Sequence, residues 1–234
     1  MAVIHHTTME PSKLELLTSW LPAQPWYLGA GREPHLTKGG GFRLDDPQGE
    51  VGIEFMVVTD ESGHRPITYQ VPLTYRGTPL DGADHALIGT SEHGVLGRRW
   101  IYDGTHDPVL AAQLLALVLG EAEPQAQSTS GAADATVTGH FAESGYRASI
   151  RRAEVTDGPR GTDLLVRTVA DAGPETGPDR QLTLRVNRIL ESQPDESSAA
   201  TEALGYVAAE WLLPDGAKAR GLFVVVHDNA PAAA

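Results

Sequence analysis

The chain has 234 residues, of which 41% are hydrophobic, and a formal net charge of −13 at pH 7. Its length and apolar content suffice for one large domain or two small domains with hydrophobic cores. The absence of cysteine excludes disulfides, thiol nucleophiles and cysteine-ligated metal sites. The negative charge disfavours nucleic acid as a partner, because the chain would repel the phosphate backbone.

The amino-terminal sequence has neither the basic flank nor the continuous apolar run of a signal peptide. No segment reaches about 18 consecutive apolar residues, the length typical of a membrane-spanning helix. We therefore expect a cytoplasmic protein with no membrane partner.

The first predicted element is a short amphipathic helix over residues 12–22. Ser12 and Glu15 have the spacing of a capping box, and leucines follow at helical intervals. Pro22 ends the pattern, because proline cannot continue the hydrogen bonding of a helix.

Four strands are predicted next. Residues 51–59 and 67–76 alternate apolar and polar side chains around a Ser-Gly turn, which predicts a β-hairpin. Residues 85–89 and 95–104 are rich in β-favouring residues bounded by glycines, and they predict a second pair of strands.

The clearest predicted helix follows, with Asp107 as its N-cap and Gly120 after its last turn. The composition then shifts to small and polar residues, as is typical of a connection between domains. We therefore predict a first domain at residues 1–122, a linker at 123–134 and a second domain at 135–228.

The second domain is predicted to be β-rich. Its apolar, β-favouring segments are separated by turn sequences, and they lie at residues 135–141, 146–155, 163–170, 181–190, 205–213 and 220–228. The whole chain is therefore predicted to be α+β, mainly antiparallel β with few helices.

The sequence patterns of common enzyme sites are absent. There is no complete dinucleotide-binding glycine fingerprint, no phosphate-cradling GxxxxGK[ST] loop and no HExxH zinc helix. Three histidines with acidic neighbours offer one alternative, a divalent metal site, although no helical spacing supports it: His85, His93 and His106. We favour solvated histidines, and we expect no catalytic residue, no metal and no cofactor.

The segment "SWLPAQPWYLGAGREP" at residues 19–34 concentrates aromatic side chains around a turn. Large aromatic residues in such turns usually seal a helix against a sheet, and we favour this interpretation. In the alternative, Trp26, Tyr27 and Arg32 present a binding surface, since aromatic faces stack on sugar rings and arginine donates to hydroxyls or phosphate. Of these three residues, only Arg32 clearly has no role in a core.

This segment resembles the signature W-L-x-x-Q-x-W-[YF]-x-G-[KR]-x-R of the amino-terminal cap of maltokinases and related actinobacterial aminosugar kinases. The matching residues are Trp20, Leu21, Gln24, Trp26, Tyr27, Gly29 and Arg32. "YQVPLTYR" and "YDGTHDPVLAAQLLALV" resemble a later strand and the closing helix of the cap, so the similarity covers residues 13–119. The resemblance implies a cap-like domain, a curved antiparallel sheet flanked by two helices.

The second half resembles the kinase N-lobe that follows such a cap. "QAQSTSG", "LTLRVNRILE" and "EWLLPDGAKARGLFVVV" stand in the order of the family's loop, lysine-bearing strand and terminal hairpin. Arg185 takes the position of the phosphate-contacting lysine, which its planar guanidinium does not replace. The other interpretations are an unrelated β domain and an ordinary solvent-facing arginine. A five-stranded sheet with Arg185 on its central strand would favour kinase ancestry.

The sequence ends where the resemblance places the hinge, so the catalytic H-G-D-x-H-x-x-N loop and the metal-binding aspartate do not follow. We therefore expect a non-catalytic binding or regulatory component of α-glucan, maltose or trehalose metabolism, with a carbohydrate-active enzyme or kinase as partner. The alternative is a sugar- or nucleotide-binding component of a split or degenerate carbohydrate kinase. In that case the ligand would bind between the two halves, near residues 39–41 and 128–131. The candidate surface residues are Trp26, Tyr27, Arg32 and Arg185.

Overall fold

A computed structural model of the chain describes residues 8–29, 31–127, 132–170, 180–192 and 203–229. These residues form thirteen strands and two α-helices. The helices are Lys13–Trp20 (α1) and Pro108–Val118 (α2). The strands are Met9–Glu10 (β1), Leu36–Leu44 (β2), Gly52–Asp60 (β3), Ile67–Arg76 (β4), Leu87–His93 (β5), Gly97–Asp103 (β6), Gln125–Ala126 (β7), Thr138–Phe141 (β8), Ala148–Asp157 (β9), Gly161–Ala170 (β10), Arg180–Asn187 (β11), Gly205–Leu212 (β12) and Lys218–Asp228 (β13).

The strands form two antiparallel sheets. The first sheet has the order β1-β5-β6-β4-β3-β2-β7, and the second has the order β8-β12-β13-β11-β10-β9. The prediction of a mainly antiparallel β fold with few helices is confirmed. A kinase-like second domain is not confirmed. The described part of the second sheet has six strands instead of five, with β11 between β13 and β10.

Helix α1 has the N-cap that the sequence predicts, and it ends at Trp20, two residues before Pro22. The Glu15 amide donates to Ser12 Oγ at 3.3 Å, and the Ser12 amide donates to Glu15 Oε2 at 2.7 Å, which completes the capping box. A 3-10 turn at Leu21–Ala23 contains Pro22 and ends the helix.

Helix α2 is capped by Asp107, whose Oδ1 accepts from the Val109 amide at 2.9 Å. Pro108 occupies the first helical position, where its missing N–H costs no hydrogen bond. The helix buries most of its apolar side chains, namely Leu110, Ala111, Leu114, Leu115, Leu117 and Val118. No helix in the described residues is long and apolar enough to cross a membrane.

Both faces of the central strands β3 and β4 of the first sheet are buried. One face packs against α1, with Met56, Val58 and Tyr69 in contact with Leu17 and Leu21. The opposite face packs against the second sheet and α2 in one apolar cluster. From the first sheet this cluster includes Phe42, Ile53, Phe55 and Val57, and from the second Leu164, Leu184, Trp211, Phe223 and Val224.

The two sheets therefore share a core. Within the segment predicted as a linker, β7 pairs with Phe42 and Arg43 of β2. The division at residues 123–134 stays a prediction about domains, while the described residues on either side of it pack into one apolar cluster.

The glycine-rich stretch of β2 allows a bulge opposite β3, because Gly40 and Gly41 have φ angles of +108° and +127°. A Cβ on Gly41 would lie 1.9 Å from the carbonyl oxygen of Phe55. A Cβ on Gly40 would meet no atom within 4 Å.

Alanine substitutions at Gly40 and Gly41 give a matched test of the bulge. Gly41→Ala and Gly40→Ala both impose backbone strain of about 1–3 kcal/mol. Gly41→Ala should lower the free energy of unfolding by a further 1–3 kcal/mol or so, because it must also displace the Phe55 backbone. Urea denaturation of both variants measures the difference, and equal losses would contradict the close approach of β2 to β3.

Candidate functional site

The aromatic segment lies against the core instead of forming an open platform. The Trp26 side chain is fully buried, with its ring centroid 5.7 Å from that of Trp20 and 6.0 Å from that of Tyr69. This position matches the interpretation that Trp26 seals a helix against a sheet. It leaves no face of the Trp26 indole open to a ligand from solvent.

The second half of the chain supplies a buried cation next to this indole. Arg188 follows β11 and is 0% exposed, and its guanidinium carbon lies 4.8 Å from the centroid of the Trp26 ring. Its Nη2 donates to Asp103 Oδ2 at 2.5 Å and to Thr105 Oγ1 at 3.1 Å, and its Nε donates to Thr162 Oγ1 at 2.7 Å. A buried charge requires such partners, because desolvation is costly.

Arg188 also joins the two sheets through its backbone. The Gln70 amide of β4 donates to the Arg188 carbonyl at 2.9 Å, and the Leu190 amide donates to the Thr68 carbonyl at 2.9 Å. Residues 188–190 thus extend from the second sheet and pair with β4 of the first. Asp103 and Trp26 belong to the first half, so this one side chain connects both halves electrostatically.

Tyr27 and Arg32 lie near the tip of the β3–β4 hairpin. The Tyr27 hydroxyl donates to Asp60 Oδ2 at 2.7 Å, and Arg32 Nη1 donates to the Ser62 carbonyl at 3.0 Å. Burial first of all, then the hydrogen bond to Asp60, raises the pKa of Tyr27 well above its usual range. Arg32 is exposed, whereas Tyr27 is half-buried and held in place.

Asp60 is the acceptor that organises this hairpin tip. Burial raises its pKa, but hydrogen bonds from the Ser62 amide, Tyr27 and the His35 amide outweigh burial and hold the pKa below its usual value. The role of Tyr27 and Arg32 in binding stays a prediction.

Arg185 lies on the face of the second sheet that points away from the shared core. Its neighbours Leu184 and Val186 are buried, while the Arg185 side chain is 41% exposed and lies 3.7 Å from Asp163 Oδ1. The structure therefore does not bring Arg185 together with the aromatic segment, whose Trp26 is in the core. A ligand contact by Arg185 stays a prediction.

A cleft of about 420 Å³ lies at the junction of the two halves. The first half lines it with the loop at residues 80–83, with His85 and with residues 105–108 and 111, and the second half contributes Ala153 and Val155 of β9. The predicted groove between the halves thus has a counterpart, but residues 39–41 do not line it. Residues 128–131 lie outside the described residues.

Two histidines meet at the wall of this cleft. His85 Nε2 and His106 Nδ1 are 3.1 Å apart, and the rings pack edge to face. The pKa of His106 is lowered, and burial is the largest cause. The positive charges of His85 and Arg188 lower it further, and the carboxylates of Asp103 and Asp157 oppose the shift without reversing it. His106 is half-buried, whereas His85 is exposed.

The third histidine of the metal-site alternative lies elsewhere. His93 is at the end of β5, where its Nδ1 accepts from the Val95 and Leu96 amides. Within the described ranges, no group of three or more histidine, aspartate or glutamate side chains could hold a metal ion.

Sequence patterns missed Arg188, because an arginine after an alternating strand is usually solvent-exposed. They also missed the contact of His85 with His106, since the two residues are 21 positions apart on separate turns. The one available signal for the cleft was its place between the predicted halves.

Because Arg188 is buried, we predict that truncating its side chain lowers the stability of the protein strongly. Arg188→Met should lower the free energy of unfolding by about 3–5 kcal/mol, because it leaves Asp103 buried without its cation. Arg185→Met is the matched control on an exposed site, with an expected change below about 1 kcal/mol. Urea denaturation compares them, and equal effects would refute the role of Arg188.

The pKa of His106 predicts a dependence of stability on pH. Because folding lowers this pKa, the unfolded chain binds a proton first as the pH falls below about 6.5. The stabilisation is complete above that value and is lost as the pH falls through the lower native pKa. His106→Gln should therefore reduce the loss of stability between about pH 8 and pH 5, measured by denaturation at each pH. The exposed His64→Gln is the control, and an unchanged pH profile in His106→Gln would contradict the prediction.

Comparison with known families finds a match within the first half. Residues 20–107 match the family model of the maltokinase N-terminal cap domain. No kinase C-lobe domain is detected, and no curated protein matches the chain. The match begins at Trp20, in the aromatic segment, and ends at Asp107, the N-cap of α2. The predicted resemblance is therefore confirmed: residues 20–107 of this chain are similar to the maltokinase N-terminal cap domain.

Proposed function

We propose that the chain is a non-catalytic binding component of maltose- or trehalose-related metabolism that engages a carbohydrate-active enzyme or kinase. The match of residues 20–107 to the maltokinase cap family carries this proposal, because it links the chain to that metabolic context. The family match alone assigns no chemistry to the chain, so the proposal is limited to binding.

The exposed part of the aromatic segment favours a protein partner. Trp26 is buried, whereas Leu28 is 50% exposed and Arg32 extends over the hairpin tip. An exposed leucine near an exposed arginine is typical of the apolar and charged contacts in protein interfaces. We therefore place the partner surface around Leu28 and Arg32, two exposed residues within the matched signature.

A binding experiment with purified maltokinase tests this proposal. The wild-type chain should bind with a Kd in the micromolar range or so, as is typical of transient contacts. The double variant Leu28→Asp/Arg32→Glu should weaken binding at least about tenfold through lost apolar contact and reversed charge. Val95→Asp is the control, because Val95 is 60% exposed on the β5–β6 turn. Absence of wild-type binding at about 100 μM would refute the proposal for this partner.

A second candidate function is a sugar- or nucleotide-binding component of a split or degenerate carbohydrate kinase. The cleft between the halves favours it, since its volume lies in the range of small-molecule sites. One wall is apolar, with Ala111, Ala153 and Val155, and the other carries His85 and His106. Such a cleft can pack against carbon atoms on one side and hydrogen-bond hydroxyls on the other.

Thermal denaturation with maltose, trehalose, glucosamine or ATP with Mg²⁺ separates the two candidates. A ligand of the cleft should raise the Tm of the wild-type chain and not that of Ala153→Trp, whose indole would fill the cleft. A flat response of the wild-type chain to all four would exclude these ligands and leave the protein-binding function.

A further inference from the structure

The second sheet ends in a long open edge. Strand β9, Ala148–Asp157, is the last strand in the order of that sheet, and it pairs with β10 alone among the described strands. Most of its side chains are exposed. An edge strand presents a row of unpaired backbone N–H and C=O groups, onto which another extended chain can add.

The ladder with β10 identifies which backbone groups of β9 are open. Across the hairpin turn, the Gly158 amide donates to the Gly161 carbonyl at 2.8 Å. Hydrogen-bonded and non-hydrogen-bonded pairs alternate along an antiparallel ladder, so Thr156 is hydrogen-bonded to β10, whereas Val155 and Ala153 are not. The N–H and C=O groups of Val155 and Ala153 therefore point away from β10. No residue that the structure describes forms a hydrogen bond with them there.

The cleft lies beside this open backbone. The side chains of Ala153 and Val155 line the cleft, and on β10 they lie opposite Val166 and Leu164, which are buried. Ala153 and Val155 thus belong to the core side of the sheet. In a strand added at this edge, every second side chain would point to the same side and enter the cleft. Backbone pairing combined with a pocket for alternate side chains is the basis of peptide recognition by strand addition.

The outer face of the sheet is positively charged at this edge. Arg152 lies opposite Arg167 of β10, and a register shift leaves Arg151 as the extra residue of a bulge. All three side chains are exposed. Arg152 contacts Glu154 at 3.0 Å, whereas Arg151 and Arg167 have no ion pair within the described part of the chain. Like charges opposite each other destabilise a sheet, so an acidic side chain on an added strand would stabilise this corner.

Charge and volume favour a peptide over a second copy of the chain. Pairing of β9 with itself would bring only the small side chains of another alanine and valine to a cleft of about 420 Å³. It would also bring together two chains that each carry a net charge of −13. A peptide can supply both the large side chain that the cleft accommodates and the negative charge that the arginines attract.

We propose that β9 binds an extended peptide as an additional strand of the second sheet. The backbone of Ala153 and Val155 pairs with the peptide, a bulky apolar side chain of the peptide enters the cleft, and a neighbouring acidic side chain meets Arg152. Neighbouring residues of a strand point to opposite faces, which matches the apolar cleft wall on one face and the arginines on the other. The proposal shares no residue with the Leu28 and Arg32 surface and requires no sugar or nucleotide, so it does not depend on the proposed function.

Fluorescence anisotropy with labelled, end-blocked peptides and the full chain tests this proposal. The probe T-V-E-F-T-V-T alternates an apolar face, centred on phenylalanine, with a face that carries one glutamate. It should bind with a Kd of about 100 μM or tighter. Replacing its phenylalanine by alanine, or its glutamate by lysine, should weaken binding by about tenfold or more. Absence of binding at about 500 μM, or equal binding of the three peptides, would overturn the proposal.

A charge exchange locates the peptide on β9. Arg152→Glu should weaken binding of the glutamate peptide by about tenfold and strengthen binding of the lysine peptide, which a merely structural defect would not do. Arg98→Glu is the control, because it reverses an exposed arginine that pairs with Glu92 on the β5–β6 hairpin. It should leave both affinities unchanged. Equal effects of the two substitutions would indicate general charge attraction and would overturn the site.

A proline variant tests the backbone pairing. Ala153→Pro removes an N–H that points away from β10, and proline is tolerated at such positions of edge strands. Circular dichroism and Tm show whether the variant is folded, and if it is not, the charge exchange at Arg152 decides. The folded variant should bind none of the peptides, and unchanged affinity would overturn the proposal. Light scattering should show that the wild-type chain is monomeric, since a dimer that Ala153→Pro dissociates would assign the edge to a second copy instead.

Discussion

The structure depends on the burial of one positive charge. Arg188 is removed from water, and its stabilising contacts come from Asp103 at the end of β6, from Thr105 two residues later and from Thr162 on β10. Desolvation of a guanidinium is tolerated only when such partners are held in place. Because these partners belong to both halves of the chain, the cap-like half and the second sheet satisfy this charge only when they pack together.

Because the two halves pack together, residues of the aromatic signature make their contacts inside the molecule. Trp26 covers the Arg188 guanidinium, and Tyr27 donates to Asp60, so both residues act inside the molecule. The protein-partner surface proposed above is formed instead by Leu28 and Arg32, the exposed residues of the same segment. The cleft with His85 and His106 lies at the junction of the halves.

Local elements followed from the sequence because their causes are local. The capping box of Ser12 and Glu15 and the N-cap Asp107 act within a few residues of the chain. The β3–β4 hairpin follows from alternation of side chains about a short turn. The cap family was evident for the same reason, because its signature is a contiguous segment around Trp26 and Tyr27.

The sequence by itself determined the caps of both helices, the β3–β4 hairpin, the antiparallel class and the resemblance to a maltokinase cap. Only the tertiary structure decided that Arg188 is buried, that His85 meets His106, and that the edge strand β9 borders the cleft. The physical reason is that burial and charge pairing depend on contacts between residues far apart in the chain, and no periodicity encodes which distant strands will meet.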